Sequence, residues 1–235
     1  MEMTPDVLAL GLIWFAVFLF SVTLHEAAHA WAALRLGDDT AYLGGQVTLN
    51  PVPHVVREPI GTIVLPIVSY ALSGWMMGWA SAPYDPTWAS RFPKRAAWMA
   101  LAGPVSNLLV ALLAGLGLWL GLARGVFVPP QSLDYSRLVA AASDAGPTFE
   151  GLAALGSILF ALNLLLFVFN LLPLPPLDGA SILPLVLPEG ASRAYLDFMR
   201  QPGFGLLGIL VAWNVFPTLF GPVFRVALDL VYSAL

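Results

Sequence analysis

His25, Glu26 and His29 form the pattern H-E-x-x-H within LHEAAHAW, in an apolar part of the chain. In a helix, residues four apart project from one face at about 6 Å from each other. That spacing suits two imidazoles on one zinc ion, with the carboxylate between them placed to hold a water molecule beside the metal. The alternative is a pair of hydrogen-bonded core histidines, although a glutamate inside a membrane segment is costly unless it has a partner. The pattern therefore predicts a metal-dependent hydrolytic centre.

A third metal ligand is expected elsewhere in the chain, because a catalytic zinc site generally has three protein ligands and one open position. Asp178 in FNLLPLPPLDGAS is a candidate, since it follows a helix end that is rich in proline. An unwound segment there would let a carboxylate reach inward. A second interpretation also fits, because Asp178 and Gly179 form a common turn pair.

The composition places the chain in a lipid bilayer. Hydrophobic residues make up 59% and charged residues 10% of its 235 residues, whereas a soluble domain is about half apolar and about a quarter charged. The mean hydropathy is +0.82. A chain of this length holds about five membrane segments of roughly 20 residues, so we expect one domain over residues 1–235.

Charge and cysteine content exclude further classes of function. The chain has no cysteine, which excludes disulfides, zinc–thiolate sites and thiol catalysis. The net charge is −4 and no basic cluster is present, so a nucleic-acid partner is not expected. The acidic N-terminus lacks the basic region of a cleavable signal peptide, and the first apolar run is expected to remain as a helix.

Five long apolar stretches predict an all-α polytopic membrane protein with about 4–6 transmembrane or re-entrant helices. The last stretch contains Pro217, Gly221 and Pro222, so it is expected to be a kinked helix or two short pieces. Alternation around the Gly-Gly pair of AYLGGQVTL predicts a small membrane-associated β-hairpin, although a plain loop has the same composition. The predicted boundaries are about 7–36, 60–82, 96–122, 152–172 and 204–235 for the apolar stretches, and about 41–49 for the hairpin.

Basic residues indicate the orientation of the chain, because Lys and Arg collect on the cytoplasmic side of membranes. Half of them flank the two ends of the second apolar stretch: Arg35, Arg57, Arg91, Lys94 and Arg95. Both ends then belong on the cytoplasmic side. Residues 60–82 are therefore expected to enter and leave on that side, as a re-entrant element buried by the protein. The alternative is an ordinary spanning helix with one set of charges on the opposite side.

Three motifs follow one another along the chain: TLHEAAHAW, LAGPVSNLL and FNLLPLPPLDG. In this order and apolar setting they resemble the site-2 proteases, which are intramembrane zinc metalloproteases. The form that they resemble is the compact bacterial one without an appended soluble domain, and the resemblance covers nearly the whole chain. It implies that His25, His29 and Asp178 bind one Zn²⁺ per chain and that Glu26 is the catalytic carboxylate.

The same resemblance implies roles for three further residues. Asn107 is similar to the family's G-x-x-x-N position, a candidate for binding substrate backbone or the oxyanion. Asn170 matches the asparagine before the aspartate motif, and His54 lies in LNPVPHVVREPIGT, which is similar to a stretch in the compact bacterial subgroup. His54 is expected either beside the site, as a gate or a temporary contact, or as a structural residue of its loop. Ala180 departs from the family pattern, where many relatives have a second glycine, but this change removes no ligand atom.

The direction of the helices provides an independent check on the ligand set. His25 and His29 lie toward the C-terminal end of the first apolar stretch, and Asp178 lies just beyond the end of the fourth. These ends meet at one depth only if the two helices run in the same direction. They do so if residues 60–82 are re-entrant and do not if these residues cross fully. The re-entrant arrangement puts the active site toward the cytoplasmic side.

The expected function is therefore that of a zinc-dependent intramembrane endopeptidase, in which Glu26 activates the water. Its expected partners are transmembrane-helix proteins or peptides, as substrates, and the lipid bilayer, and its expected location is a bacterial plasma membrane. Two alternatives stay open. A metal or ion transporter would not require a glutamate directly after the first ligand, and a catalytically inactive scaffold would bind membrane helices without cleaving them. The sequence identifies neither the natural substrate nor the oligomeric state.

Overall fold

Long apolar runs that begin at proline dominate the architecture. A computed structural model describes residues 4–143, 145–199, 201 and 203–235. The described part of the chain contains ten α-helices: α1 (Pro5–Leu36), α2 (Thr40–Leu43), α3 (Val52–Arg57), α4 (Leu65–Ser73), α5 (Pro86–Arg91), α6 (Pro93–Ala123), α7 (Pro147–Asn170), α8 (Asp178–Ile182), α9 (Glu189–Met199) and α10 (Phe204–Tyr232). A π-helical turn (Ile60–Val64) precedes α4, and a 3₁₀ turn (Leu183–Leu185) follows α8. Two short strands, β1 (Phe127–Val128) and β2 (Ala140–Ala141), pair antiparallel in the loop between α6 and α7.

Four helices are long and apolar enough to cross a bilayer: α1, α6, α7 and α10. Local signals set the ends of α1. Thr4 accepts a hydrogen bond from the Val7 N–H, and Gly37 ends the helix with a φ of 102°, a left-handed conformation that glycine adopts without strain. α10 is a single helix that runs through Pro217 and Pro222. The predicted class, an all-α polytopic membrane protein with a small antiparallel β element, is confirmed.

The centre of the bundle consists of α1, α6 and α7. Asn107 of α6 bonds to His25, whereas Met99, earlier in α6, bonds to His29, so α6 runs antiparallel to α1. α7 begins beside the N-terminal half of α1 and ends beside its C-terminal half, so these two helices run in the same direction. α10 packs against α6 and α7. The ends of α1 and α7 thus lie at the same level of the bundle.

Residues 60–82 fold back on themselves instead of crossing the bundle. The chain runs through the π-helical turn and α4, and then returns as an extended stretch, residues 76–85, which we call the return segment. The Trp79 N–H donates a hydrogen bond to the Gly61 carbonyl oxygen at 3.1 Å, so the two arms lie side by side. Because this element does not cross, α6 is the single long helix between α1 and α7, which explains their common direction.

The hairpin predicted at residues 41–49 is wrong. This part of the chain forms the one-turn helix α2, followed by turns. The Gly44 N–H donates to the Thr40 carbonyl oxygen at 3.1 Å and the Gln46 N–H donates to the Ala41 carbonyl oxygen at 2.9 Å, so local bonds replace the expected pairing across strands. The Gly-Gly pair ends a helix here, and the small β element lies at β1 and β2.

Candidate metal centre

His25 and His29 lie one turn apart on the face of α1 that packs against α6. Both side chains are buried. Their Nε2 atoms are 2.9 Å apart, and the ring planes meet at 81°. The two imidazoles therefore aim the same ring atom at one point in the interior of the bundle.

Hydrogen bonds on the far side of each ring fix which nitrogen carries the hydrogen. His29 Nδ1–H donates to the Met99 carbonyl oxygen at 2.8 Å, and His25 Nδ1–H donates to Asn107 Oδ1 at 2.6 Å. Both partners are oxygens that can only accept, so Nδ1 is protonated in each neutral ring. Each Nε2 then keeps a lone pair for a metal ion.

Asp178 reaches this point from the segment that follows α7. Turns follow α7, and Asp178 is the first residue of the short helix α8. Its Oδ2 lies 3.1 Å from His25 Nε2 and 3.3 Å from His29 Nε2. An ionised aspartate oxygen only accepts, and it is one of the oxygen ligands that zinc takes. Asp178 is thus placed to bind a cation together with the two rings.

The donor atoms fit a zinc ion. His25 Nε2, His29 Nε2 and Asp178 Oδ2 all lie within 4.8 Å of one another. With both Nδ1 atoms protonated, three lone pairs face each other with no hydrogen to share, an arrangement that a cation stabilises. Two imidazole nitrogens and one carboxylate oxygen are a recognised ligand set for catalytic zinc. Gly103 of α6 keeps this space open, because a Cβ atom at that position would lie against the Nε2 atoms of both rings.

Glu26 lies beside the ligand set and borders a cavity of about 220 Å³. His29 and Asp178 border the same cavity, together with Ser81 of the return segment. Glu26 is 6% exposed, yet its carboxylate has no hydrogen bond or ion pair with any residue that the structure describes. A carboxylate that no described residue hydrogen-bonds, next to three candidate ligand atoms and an open space, can take up and release a proton there.

Asn107 of α6 lies behind His25, on the side of the ring away from the ligand atoms. Its Oδ1 accepts from His25, and its Nδ2 donates to Asn163 Oδ1 at 2.8 Å and to the Ser21 carbonyl oxygen at 3.3 Å. The side chain is fully buried. Both amide hydrogens are thus used inside the bundle, and none is left for an oxyanion. The expected contact of Asn107 with substrate backbone or the oxyanion stays a prediction, and in this structure its amide is used behind His25.

Asn170 and His54 do not reach the ligand set. Asn170 Nδ2 donates to the Leu166 carbonyl oxygen, one turn earlier in α7, at 3.1 Å. His54 is buried in α3, and its Nε2 lies 3.2 Å from the Thr48 carbonyl oxygen. The structure therefore brings together His25, Glu26, His29 and Asp178, and it leaves these two residues in local contacts.

Sequence reasoning missed two buried polar residues near the centre. Asn163 of α7 and Ser21 of α1 are fully buried, and both contact Asn107. The sequence carries a signal for Asn163, because an asparagine inside an apolar stretch is costly and usually functional. No such signal exists for Ser21, since serine is common in membrane helices.

Comparison with known proteins adds three relatives and a family. A family model described as peptidase family M50 matches residues 13–204. "Putative zinc metalloprotease YwhC" of Bacillus subtilis is 37% identical over 187 residues, which are 79% of this chain and 74% of the relative. "Putative zinc metalloprotease Rip2" is 32% identical over 196 residues in Mycolicibacterium smegmatis (83% of this chain, 65% of the relative) and 34% identical over 212 residues in Mycobacterium tuberculosis (90% and 70%). No solved structure matches the chain.

Proposed function

The chain belongs to peptidase family M50 and is a metalloprotease with membrane helices, and from this premise we propose that it is a zinc-dependent intramembrane endopeptidase. It hydrolyses peptide bonds in or near the transmembrane helices of membrane-protein substrates. The observation that carries the proposal is the convergence of His25, His29 and Asp178 within 4.8 Å, between helices long enough to span a bilayer. Glu26 borders the same cavity, and no described residue hydrogen-bonds its carboxylate. One such set of ligands supports one Zn²⁺ per chain.

The proposed reaction divides the chemistry between the metal and Glu26. When bound, zinc supplies Lewis-acid chemistry that polarises a peptide carbonyl and lowers the pKa of a water molecule. His25 and His29 keep their Nε2 atoms toward the ion, because their Nδ1–H bonds hold the rings. Glu26 accepts a proton from the attacking water and then returns a proton to the leaving amine. The cavity beside Glu26 gives water and the substrate carbonyl access to this carboxylate.

Cleavage of a single-span substrate by the purified protein in detergent tests this proposal. We expect cleavage within or near the span, loss of cleavage when a chelator removes zinc, and recovery when zinc is added back. Bound zinc without turnover on such substrates would favour a helix-binding scaffold. Ion transport that depends on His25 and Asp178 would favour a transporter.

The return segment is placed to bind an unwound substrate segment beside Glu26. A transmembrane helix hides its carbonyl groups in hydrogen bonds, so it must unwind before hydrolysis. Residues 80–84 lie along the cavity that Glu26 borders, and the N–H groups of Ala80, Ala82 and Tyr84 have no partner in the part of the chain that the structure describes. An extended segment with free backbone groups can pair with an unwound peptide as a neighbouring strand does. We infer that it holds the substrate next to Glu26.

Ala82→Pro is expected to reduce cleavage about fivefold, because it removes one backbone donor and a hydrogen bond contributes about 1 kcal/mol. Zinc content is expected to stay unchanged. Cleavage rate and zinc content are measured on the same preparations, with Ala82→Gly as the matched control that keeps the N–H. If the proline variant cleaves as fast as the glycine variant, the return segment does not pair with the substrate through this group.

The distribution of basic residues supports a cytoplasmic position for the metal centre in a bacterial plasma membrane. Arg95 at the start of α6 bonds to the Leu36 carbonyl oxygen at the end of α1, at 3.2 Å, and Arg57 bonds to Ser81 at the base of the re-entrant element, at 3.2 Å. The flanking basic side chains thus lie at the ends of the elements that hold the metal centre. By the positive-inside rule, this end faces the cytoplasm.

Single introduced cysteines can test this orientation, because the chain has no cysteine of its own that a thiol reagent would also label. Thr87, in α5, and Gln131, in the loop between α6 and α7, are both exposed. In intact bacterial cells, a membrane-impermeant maleimide is expected to label Gln131→Cys and to label Thr87→Cys only after the membrane is disrupted. The reverse pattern would place the metal centre toward the outside.

A further inference from the structure

A chain of buried polar side chains runs from His25 into the centre of the bundle. Ser21 of α1, Asn107 of α6 and Asn163 of α7 are each 0% exposed. Amides and hydroxyls are costly inside an apolar bundle unless they are hydrogen-bonded, and polar residues within membrane helices commonly serve function. Leucine or alanine would fill such positions at lower cost, so the three residues call for an explanation beyond packing.

The hydrogen bonds of Asn163 allow only one orientation of its amide. Asn163 Nδ2 lies 2.9 Å from the Leu159 carbonyl oxygen, which can only accept, and 2.9 Å from Ser21 Oγ. If the amide turned over, two oxygens would face each other at Leu159. Asn163 therefore presents Oδ1, an acceptor, to its other neighbour, Asn107.

The orientation of Asn163, together with the backbone carbonyl of Ser21, fixes that of Asn107. Asn107 Nδ2 donates one hydrogen to Asn163 Oδ1 at 2.8 Å and the other to the Ser21 carbonyl oxygen at 3.3 Å. Both partners can only accept, so Asn107 must present its Oδ1 to His25 Nδ1, at 2.6 Å. A reversed amide at Asn107 would instead donate to Nδ1, and the hydrogen of a neutral His25 would then be on Nε2, where it blocks metal binding.

We infer that Asn163 is a positioning residue for the metal centre: acting through Asn107, it keeps the hydrogen of His25 on Nδ1 and the Nε2 lone pair free for the ion. This inference rests on the proposed function, since it assigns a role within the zinc site. The direction of the hydrogen bonds is set at two backbone carbonyls, that of Leu159 in α7 and that of Ser21 in α1, and it passes through Asn107 of α6 to the ligand on α1. Three helices thus determine the state of one ligand atom.

Asn163→Leu tests this role, because leucine has a similar size and offers no hydrogen bonds. We expect the apparent zinc affinity, measured by competition with a graded series of chelators, to fall about 10- to 100-fold, as is usual when a residue that orients a metal ligand is lost. Asn214→Leu is the matched control, since Asn214 of α10 is exposed and its Nδ2 also bonds one turn back, to Leu210. Its zinc affinity is expected to equal that of wild type. Equal zinc affinity in Asn163→Leu and wild type would overturn the inference.

The hydrogen position on His25 can be measured directly by ¹⁵N NMR of the imidazoles in zinc-free protein. The chain has only three histidines, and the signal of His25 is assigned by its loss in His25→Gln. We expect the hydrogen on Nδ1 in wild type and a mixture of both forms in Asn163→Leu. A hydrogen on Nε2 in wild type would overturn the inference even if the Asn163 variant does not fold. Because no zinc is needed, a wild type with Nδ1–H that binds no zinc would contradict the proposed function alone.

Discussion

Glu26→Gln is expected to keep its zinc and to lose cleavage by a factor of about 10²–10⁴, the usual contribution of general acid–base catalysis. Glutamine has the size and shape of glutamate but cannot accept a proton at neutral pH. Glu26 and Asp178 are the carboxylates that border the cavity among the described residues, and Asp178 is committed to the ligand set. No carboxylate in the described part of that cavity is thus free to replace Glu26. Turnover of a single-span substrate and zinc content, measured together, check this result.

Glu150→Gln is the matched control for this experiment. Glu150 is an exposed residue in the first turn of α7 and does not border the cavity beside Glu26. The same loss of one negative charge at this position is expected to leave both cleavage and zinc content at the wild-type level. Cleavage by Glu26→Gln at the rate of wild type would mean that the hydrolytic site lies elsewhere.

Gly103→Ala is expected to lower zinc affinity about a hundredfold, the upper end of what disturbing a metal ligand costs, and to lower cleavage with it. The added methyl group would meet the Nε2 atoms of both histidines at less than contact distance. These rings are held by bonds to Asn107 and Met99, so they cannot move aside without breaking them. Chelator competition and cleavage rate are the measurements.

Gly117→Ala makes the same change in the same helix. A Cβ atom at Gly117 has no atom within 4 Å in the described structure, so zinc affinity and cleavage are expected to match those of wild type. Alanine is also a better helix former than glycine, by about 1 kcal/mol. A loss seen only in Gly103→Ala can therefore be assigned to the metal centre, and wild-type zinc affinity in that variant would contradict the described packing.

The spanning helices could be predicted because they depend on local hydrophobicity. The apolar stretches near 7–36, 96–122 and 152–172 correspond to α1, α6 and α7. The residues of the candidate centre could also be selected, since H-E-x-x-H is a local pattern and the resemblance to the site-2 proteases implies Asp178, for which the residues alone also allowed a turn. The fold-back of residues 60–82 followed from charge placement together with the need for two helix ends to meet.

The hairpin and the contacts of Asn107 could not be predicted from local patterns along the sequence. A Gly-Gly pair permits several turns, and here it follows the one-turn helix α2, in which Ala41 is completely buried. The position of Asn107 depends on Asn163, 56 residues away, and on Ser21, 86 residues away. Spacing along a single sequence does not report which donors such an amide will meet.

The most direct test of the central claim compares zinc content and cleavage in wild type and Asp178→Ala, on the same purified preparations. If the set of His25, His29 and Asp178 holds the catalytic ion, wild type contains about one zinc per chain and cleaves a single-span substrate. Asp178→Ala then loses zinc and cleavage together. Retention of zinc and of wild-type cleavage by Asp178→Ala would contradict the account.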